Sequence, residues 1–157
     1  MANYHVIGVG EHHKFFDENA YRDSIGYIFR PDHAKYIGGY AIQNLDMAAI
    51  EMQATAQAFG KDSGKRIRHS VLSFTPHEMK YITPEKASIW AQRIIRFYGY
   101  EYQIVYAVHT NTDNLHIHFV MNQISYRDGH RYRGKKKDYY EFMKFVHLIT
   151  ELPIVPV

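Results

Sequence analysis

The sequence contains no cysteine. That excludes a disulfide framework and any thiolate-bound metal, and it fits a cytoplasmic location. No apolar run approaches the ~18–20 residues that a membrane span requires, and the N-terminus lacks a signal-peptide core. Proline is scarce, and no repeat, low-complexity tract or Pro/Ser-rich linker divides the chain. Residues 1–157 therefore read as a single domain, long enough to bury a core of its own. Charge of one sign is not in great excess either: the formal net charge is +3, which alone says little about partners.

Apolar residues make up 46% of the chain and aromatics 15%, which argues against disorder. The positive charge is clustered. Lys61, Lys65, Arg66 and Arg68 form one group; Arg127, Arg131, Arg133, Lys135, Lys136 and Lys137 form a denser one. As isolated features these are solvated loops. They become candidates for phosphate contact only beside a site that acts on phosphate.

Local patterning predicts the elements. Residues 4–9 read as a strand, 18–29 as a helix ending before Pro31, and 36–42 as a strand weakened by Gly38-Gly39. Residues 46–59 read as a helix stopped by Gly60. In the strand 68–75, Leu72 and Phe74 face one way and His69, Val71, Ser73 and Thr75 the other. Thr83-Pro84 starts a helix whose apolar stripe runs from Ala87 to Tyr98. Strands at 100–109 and 115–122 follow, joined by a short polar loop that implies an antiparallel hairpin. A basic loop leads to a last helix over 138–149. The order predicts an α/β (α+β) domain: a central antiparallel sheet with helices packed on it.

The informative stretch runs from His109 to Asn122. In a strand, residues i and i+2 share a face, so His116 and His118 project together while Leu115, Ile117, Phe119 and Met121 face the core. The alternation of the preceding strand leaves His109 on the face opposite Tyr106 and Val108. If the hairpin pairs 109 with 116, the three imidazoles converge. Three neutral imidazoles with open positions suit a catalytic divalent ion, and would let Mn²⁺, Ni²⁺ or Zn²⁺ bind in vitro. No nearby carboxylate is placed to activate water. Such an ion would polarise a phosphoryl oxygen, and the nucleophile must come from elsewhere.

Residues 109–122 match the pattern H-x-D-x-D-x-x-H-x-H-x-x-x-N; His69-Ser-Val-Leu-Ser73-Phe74 matches H-x-x-x-S-F; Tyr27-Ile28-Phe29-Arg30-Pro31 matches Y-I-x-x-P. In these motifs, and in their order, the chain resembles the relaxase/mobilisation nuclease family of HUH endonucleases, in its MobA/VirD2-like branch. The resemblance implies an HUH relaxase-like fold. It implies site- and strand-specific nicking of single-stranded DNA at an origin of transfer: the Tyr27 hydroxyl attacks the scissile phosphate, leaving a 5′-phosphotyrosyl link and a free 3′-OH, and so starts conjugative mobilisation of a plasmid or other mobile genetic element. A phenol, with a pKa near 10, attacks well only if the phosphate is activated. His109, His116 and His118 would hold the metal, Mn²⁺ or Mg²⁺. Ser73, Arg66, Arg68, Arg131, Arg133, Lys135, Lys136 and Lys137 would contact DNA. Accessory relaxosome proteins and a coupling protein would be partners, and the chain would be the N-terminal part of a longer protein or a small stand-alone member.

Two positions depart from the family pattern: its first acidic position in the histidine motif is Asn111, and a lysine often found six residues after the tyrosine is His33, with Lys35 two further on. Tyr21, Tyr36, Tyr40 and His33 remain alternative nucleophiles. A rolling-circle initiator or HUH transposase would use the same histidines with a C-terminal tyrosine, for which Tyr139 and Tyr140 are the candidates. A non-catalytic DNA-binding accessory protein of the same fold is the reading from another class.

Overall fold

A computed structural model of the protein describes residues 1–110 and 113–157; Asn111, the departure noted above, lies outside them. The strands are β1 (Ala2–Val6), β2 (Ala34–Tyr40), β3 (Ile67–Ser73), β4 (Ile104–His109), β5 (His116–Asn122) and β6 (Ile154–Pro156). The helices are α1 (Ala20–Ile28), α2 (Ala48–Ala58), α3 (Pro84–Ile94), α4 (Arg96–Gly99) and α5 (Lys136–Thr150). The strands form one sheet in the order β2-β4-β5-β3-β1-β6, antiparallel except for the β1–β6 pair.

Period-two alternation gives the sheet two different faces. Ile104, Tyr106, Val108, Ile117, Phe119 and Met121 point to a core shared with Ala87, Trp90, Ile94, Tyr98 and Phe142 of α3, α4 and α5. Val105, Ala107, Val120 and Ile67 point the other way, beneath Tyr21, Ile25 and Ile28 of α1 and Met52 of α2. The helices thus form a layer on each side of the sheet. On the second side α1 and α2 cover only part of the surface, and the end of the sheet carrying His109 and His116 is left to a cleft.

Several boundaries differ from the sequence expectation. β1 stops at Val6, because Gly8 and Gly10 turn the chain with φ of 84° and 82°. β2 runs through Gly38 without interruption: a Cβ there would lie 2.4 Å from Tyr106 Cε1, so glycine lets the Tyr106 ring pass over the strand. The helix begun by Thr83, whose side chain accepts from Lys86 N at 3.1 Å, breaks at Ile95 and resumes as α4. Tyr102 N then bonds Tyr98 O at 2.9 Å, so residues 100–103 turn and β4 starts at Ile104. β6 adds to the sheet edge beside β1, where no strand was expected.

Candidate active site

Strand register assembles the cluster. His109 pairs directly with His116, Ala107 with His118, Val71 with His118, and Ser73 with His116, so His109, His116, His118, His69 and Ser73 share one face. The ring centroids of His109 and His118 are 4.2 Å apart, those of His116 and His118 6.2 Å, and those of His69 and His118 5.2 Å. β1 contributes Asn3 and His5, opposite Ser73 and Val71. With Tyr27 and His33 they line a cleft of about 450 Å³.

Tyr27 lies in the last turn of α1 and is about half exposed. Its ring meets those of His118 and His69 edge-on, with centroids 6.2 Å and 6.3 Å away. The helix end is tied to the histidine strand by one bond: His109 Nε2 lies 2.7 Å from Ile28 O. A carbonyl only accepts, so Nε2 carries the proton and Nδ1 the lone pair. The bond also satisfies one of the carbonyls that a helix C-terminus leaves without an intrahelical partner.

Burial lowers the pKa of four of these imidazoles, His69, His109, His116 and His118. His69 is pushed down to about 4, by burial first and then by His109, Lys14 and His5. His118 is pushed down to about 3, by burial first and then by the surrounding His109, His69, His116 and His33. His109 and His116 are also lowered, chiefly by burial. The rings are therefore neutral at pH 7 and keep lone pairs available. His69 Nε2 and His118 Nδ1 lie 2.9 Å apart. His33 Nδ1 is buried without a hydrogen-bond partner, and its ring is 5.9 Å from that of His109.

This donor set fits a divalent cation in its chemistry: neutral imidazoles, with a ring nitrogen of His109 bonded to a backbone carbonyl, as ligating histidines commonly are, and one of His118 bonded to His69. The donor atoms are not brought together as a closed cage. Among the described residues no group of three His, Cys, Asp or Glu side chains is arranged to hold an ion.

The other tyrosines fall elsewhere. Tyr21, on α1, is buried in the core that α1 and α2 form on the sheet, and burial raises its hydroxyl to about 12. Tyr36 bonds Glu85 at 3.1 Å and Tyr40 packs on Tyr100, both on the α3 side of the sheet. Tyr139 packs on Tyr4 in that same core, and Tyr140 is an exposed neighbour of Lys136.

The basic residues divide into two sets. Arg66 is spent on its own loop, with Nε 2.8 Å from Asp62 Oδ1 and Nη2 2.8 Å from Asp62 O. Arg131 spans to the same loop, bonding Lys65 O at 2.7 Å and Ser63 O at 2.9 Å. Arg68 is buried between the rings of Tyr98 and Tyr132, 5.5 Å and 5.2 Å from their centroids. Arg133, Lys135, Lys136 and Lys137 face solvent. A second cleft, of about 560 Å³, is lined by Lys65, Arg133 and Lys136 with Tyr132 and Tyr139, and shares His5 with the histidine cleft. His5 and Asn3 were not singled out from the sequence, although the alternation Ala2-Asn3-Tyr4-His5 marks them as a polar face.

The family description "Relaxase: MobA/VirD2-like, nuclease domain" matches residues 27–151. A protein named rlx from Staphylococcus aureus is 28% identical over 94 residues, covering 60% of this chain and 28% of that protein. The group II intron-interrupted relaxase LtrB of Lactococcus lactis subsp. cremoris is 28% identical over 93 residues, covering 59% of this chain and 16% of LtrB. The match thus spans well under a third of either relative's length.

Proposed function

Since the chain belongs to the MobA/VirD2-like relaxase nuclease domain family, we propose that it nicks single-stranded DNA at an origin of transfer by transesterification, with Tyr27 as nucleophile. The observation that carries this reading is that Tyr27 is the only tyrosine among the described residues to line the histidine cleft. Its hydroxyl oxygen forms a bond to the scissile phosphorus as the bond from phosphorus to O3′ breaks. The phenol gives up its proton and the departing O3′ takes one up. The products are a 5′-phosphotyrosyl link and a free 3′-OH.

His109, His116 and His118 would hold a divalent ion, Mn²⁺ or Mg²⁺ in the cell, with Ni²⁺ or Zn²⁺ binding in vitro. When bound, such an ion polarises a phosphoryl oxygen and offsets the charge that builds on it. His109 also orients the nucleophile, because its bond to Ile28 O fixes the turn that carries Tyr27. Ser73 lines the same cleft and would donate to the DNA backbone.

The strand would run on past His5 into the basic cleft, where Arg133 and Lys136 would meet phosphates, with Lys135 and Lys137 as their chain neighbours, and Tyr132 and Tyr139 would offer ring faces and edges to bases. A replication initiator or transposase would need a C-terminal tyrosine at the metal, and Tyr139 lies in the α5-side core. In the cell, the nick would start conjugative mobilisation of a plasmid or related element, with accessory relaxosome proteins and a coupling protein. No helix among the described residues is long and apolar enough to cross a membrane.

The test is incubation of the protein with Mn²⁺ and single-stranded oligonucleotides from origins of mobilisable elements, followed by denaturing electrophoresis. A shifted, nuclease-sensitive protein band on one strand of one origin supports the reading. Binding with no covalent band on any origin favours an accessory DNA-binding role.

A further inference from the structure

We infer that His69 is a positioning residue for His118: it accepts the Nδ1–H of His118 and so keeps the opposite nitrogen, Nε2, as the lone-pair donor of that ring. The inference rests on the proposed metal reading of the histidine cluster and adds a residue that none of the motif assignments gave a role.

The geometry comes from register. β3 and β5 are antiparallel, with His69 opposite Val120 and His118 opposite Val71, so the two histidines are diagonal neighbours on one face. Their nitrogens are 2.9 Å apart, both side chains are buried, and the bond brings together Nε2 of one ring and Nδ1 of the other. A neutral imidazole has one donor and one acceptor. One proton therefore lies in this bond, and the ring that owns it decides what His118 offers on its far side. If His118 donates, its Nε2 is a lone pair fit for a cation. If His69 donates, His118 Nε2 carries a hydrogen and cannot ligate.

One observation favours donation by His118, the set of rings around it. His109 already has its proton committed to Ile28 O, leaving Nδ1 as a lone pair. With His118 in the Nδ1–H form, both rings of the closest pair in the cluster present lone pairs rather than one presenting a hydrogen. Tyr27 packs its ring against both His69 and His118, so the residue that sets the tautomer also supports the nucleophile.

The experiment uses the whole chain with ¹⁵N-labelled histidine. Long-range ¹H–¹⁵N correlation at pH 7.5 in the presence of EDTA reads the tautomer of His118, and calorimetric titration with MnCl₂ reads affinity. The parent should show His118 as the Nδ1–H tautomer. His69→Leu should populate both tautomers and weaken Mn²⁺ binding by about 10- to 100-fold, the usual loss when an outer-shell partner is removed. His69→Gln, whose amide oxygen can still accept, should retain the tautomer and most of the affinity. Circular dichroism checks that both variants fold, and His69→Gln keeps the test valid if His69→Leu does not. A parent His118 in the Nε2–H form overturns the inference, as does a His69→Gln variant that loses the tautomer while folded. A parent with the Nδ1–H tautomer that binds no Mn²⁺ overturns the metal reading and leaves the positioning role supported.

Discussion

The imidazole of His109 donates from Nε2 to the carbonyl oxygen of Ile28, 2.7 Å away, and so joins the histidine strand to the helix turn that holds Tyr27. Tyr27 and the histidine cluster are thereby a single mechanical unit. His109→Ala should fail in two ways, losing Mn²⁺ affinity and releasing the end of α1. Removing one partner of a buried hydrogen bond costs about 1–3 kcal/mol. Hydrogen exchange at Phe29 N, which bonds Ile25 O at 2.9 Å, should speed up in His109→Ala and not in His116→Ala. Equal exchange in the two variants would show that the bond does not hold the turn.

The lowered imidazoles predict a pH dependence of the metal-free protein. An unfolded histidine takes its proton near pH 6.5, whereas folded His69 and His118 hold off until about 4 and about 3. Between those limits the unfolded state binds more protons, so stability is full above pH 6.5 and falls as the pH drops towards 4. The slope is at most about 1.4 kcal/mol per pH unit for each ring. Urea unfolding in EDTA at pH 5, 6 and 7 measures it. A midpoint that does not move, or that rises on acidification, would contradict the burial of these rings.

Gly38 makes a prediction about the fold alone. Alanine there meets Tyr106, so Gly38→Ala should destabilise by about 1–3 kcal/mol through overpacking. Pairing it with Tyr106→Leu should recover part of the loss, read by chemical denaturation as a double-mutant cycle. Strict additivity would mean that the ring is not what requires the glycine.

The two sets of basic residues should behave differently. Replacing Lys135, Lys136 and Lys137 by Gln should weaken single-stranded DNA binding across sequences and reduce the salt slope by up to about 0.7 per lost contact. Arg131→Gln should instead lower stability, since its guanidinium is bonded to Lys65 O and Ser63 O. Fluorescence anisotropy across a salt series, with a parallel melting curve, separates the two. A smaller salt slope in Arg131→Gln than in the lysine variant would reverse the assignment.

How much of this was legible depends on the range of the interaction. The convergence of His109, His116 and His118 was readable because period-two alternation and a short hairpin loop fix it locally, and the 109–116 pairing is observed. The place of Tyr27 came from motif context rather than periodicity; only the tertiary contact between α1 and the sheet brings its ring to His118. Asn3 and His5 join the cleft through β1–β3 pairing, which links residues far apart in the chain; local alternation marks their polar face but not the strand it lies beside. β6 has the same origin. Charge clusters showed where arginines are but not what they bond. Arg68 is the instructive case: the alternation that turns Leu72 to the core turns Arg68 there too, where it stacks on Tyr98 and Tyr132.

The most direct test of the central claim is identification of the residue that carries the DNA. The protein is incubated with Mn²⁺ and its cognate single strand, digested with nuclease and trypsin, and the nucleotide-bearing peptide is sequenced by mass spectrometry. The account predicts a 5′-linked nucleotide on Tyr27 and no adduct from Tyr27→Phe, which should still fold and bind Mn²⁺. An adduct on Tyr21, Tyr139, Tyr140 or His33, or one that persists in Tyr27→Phe, would contradict it.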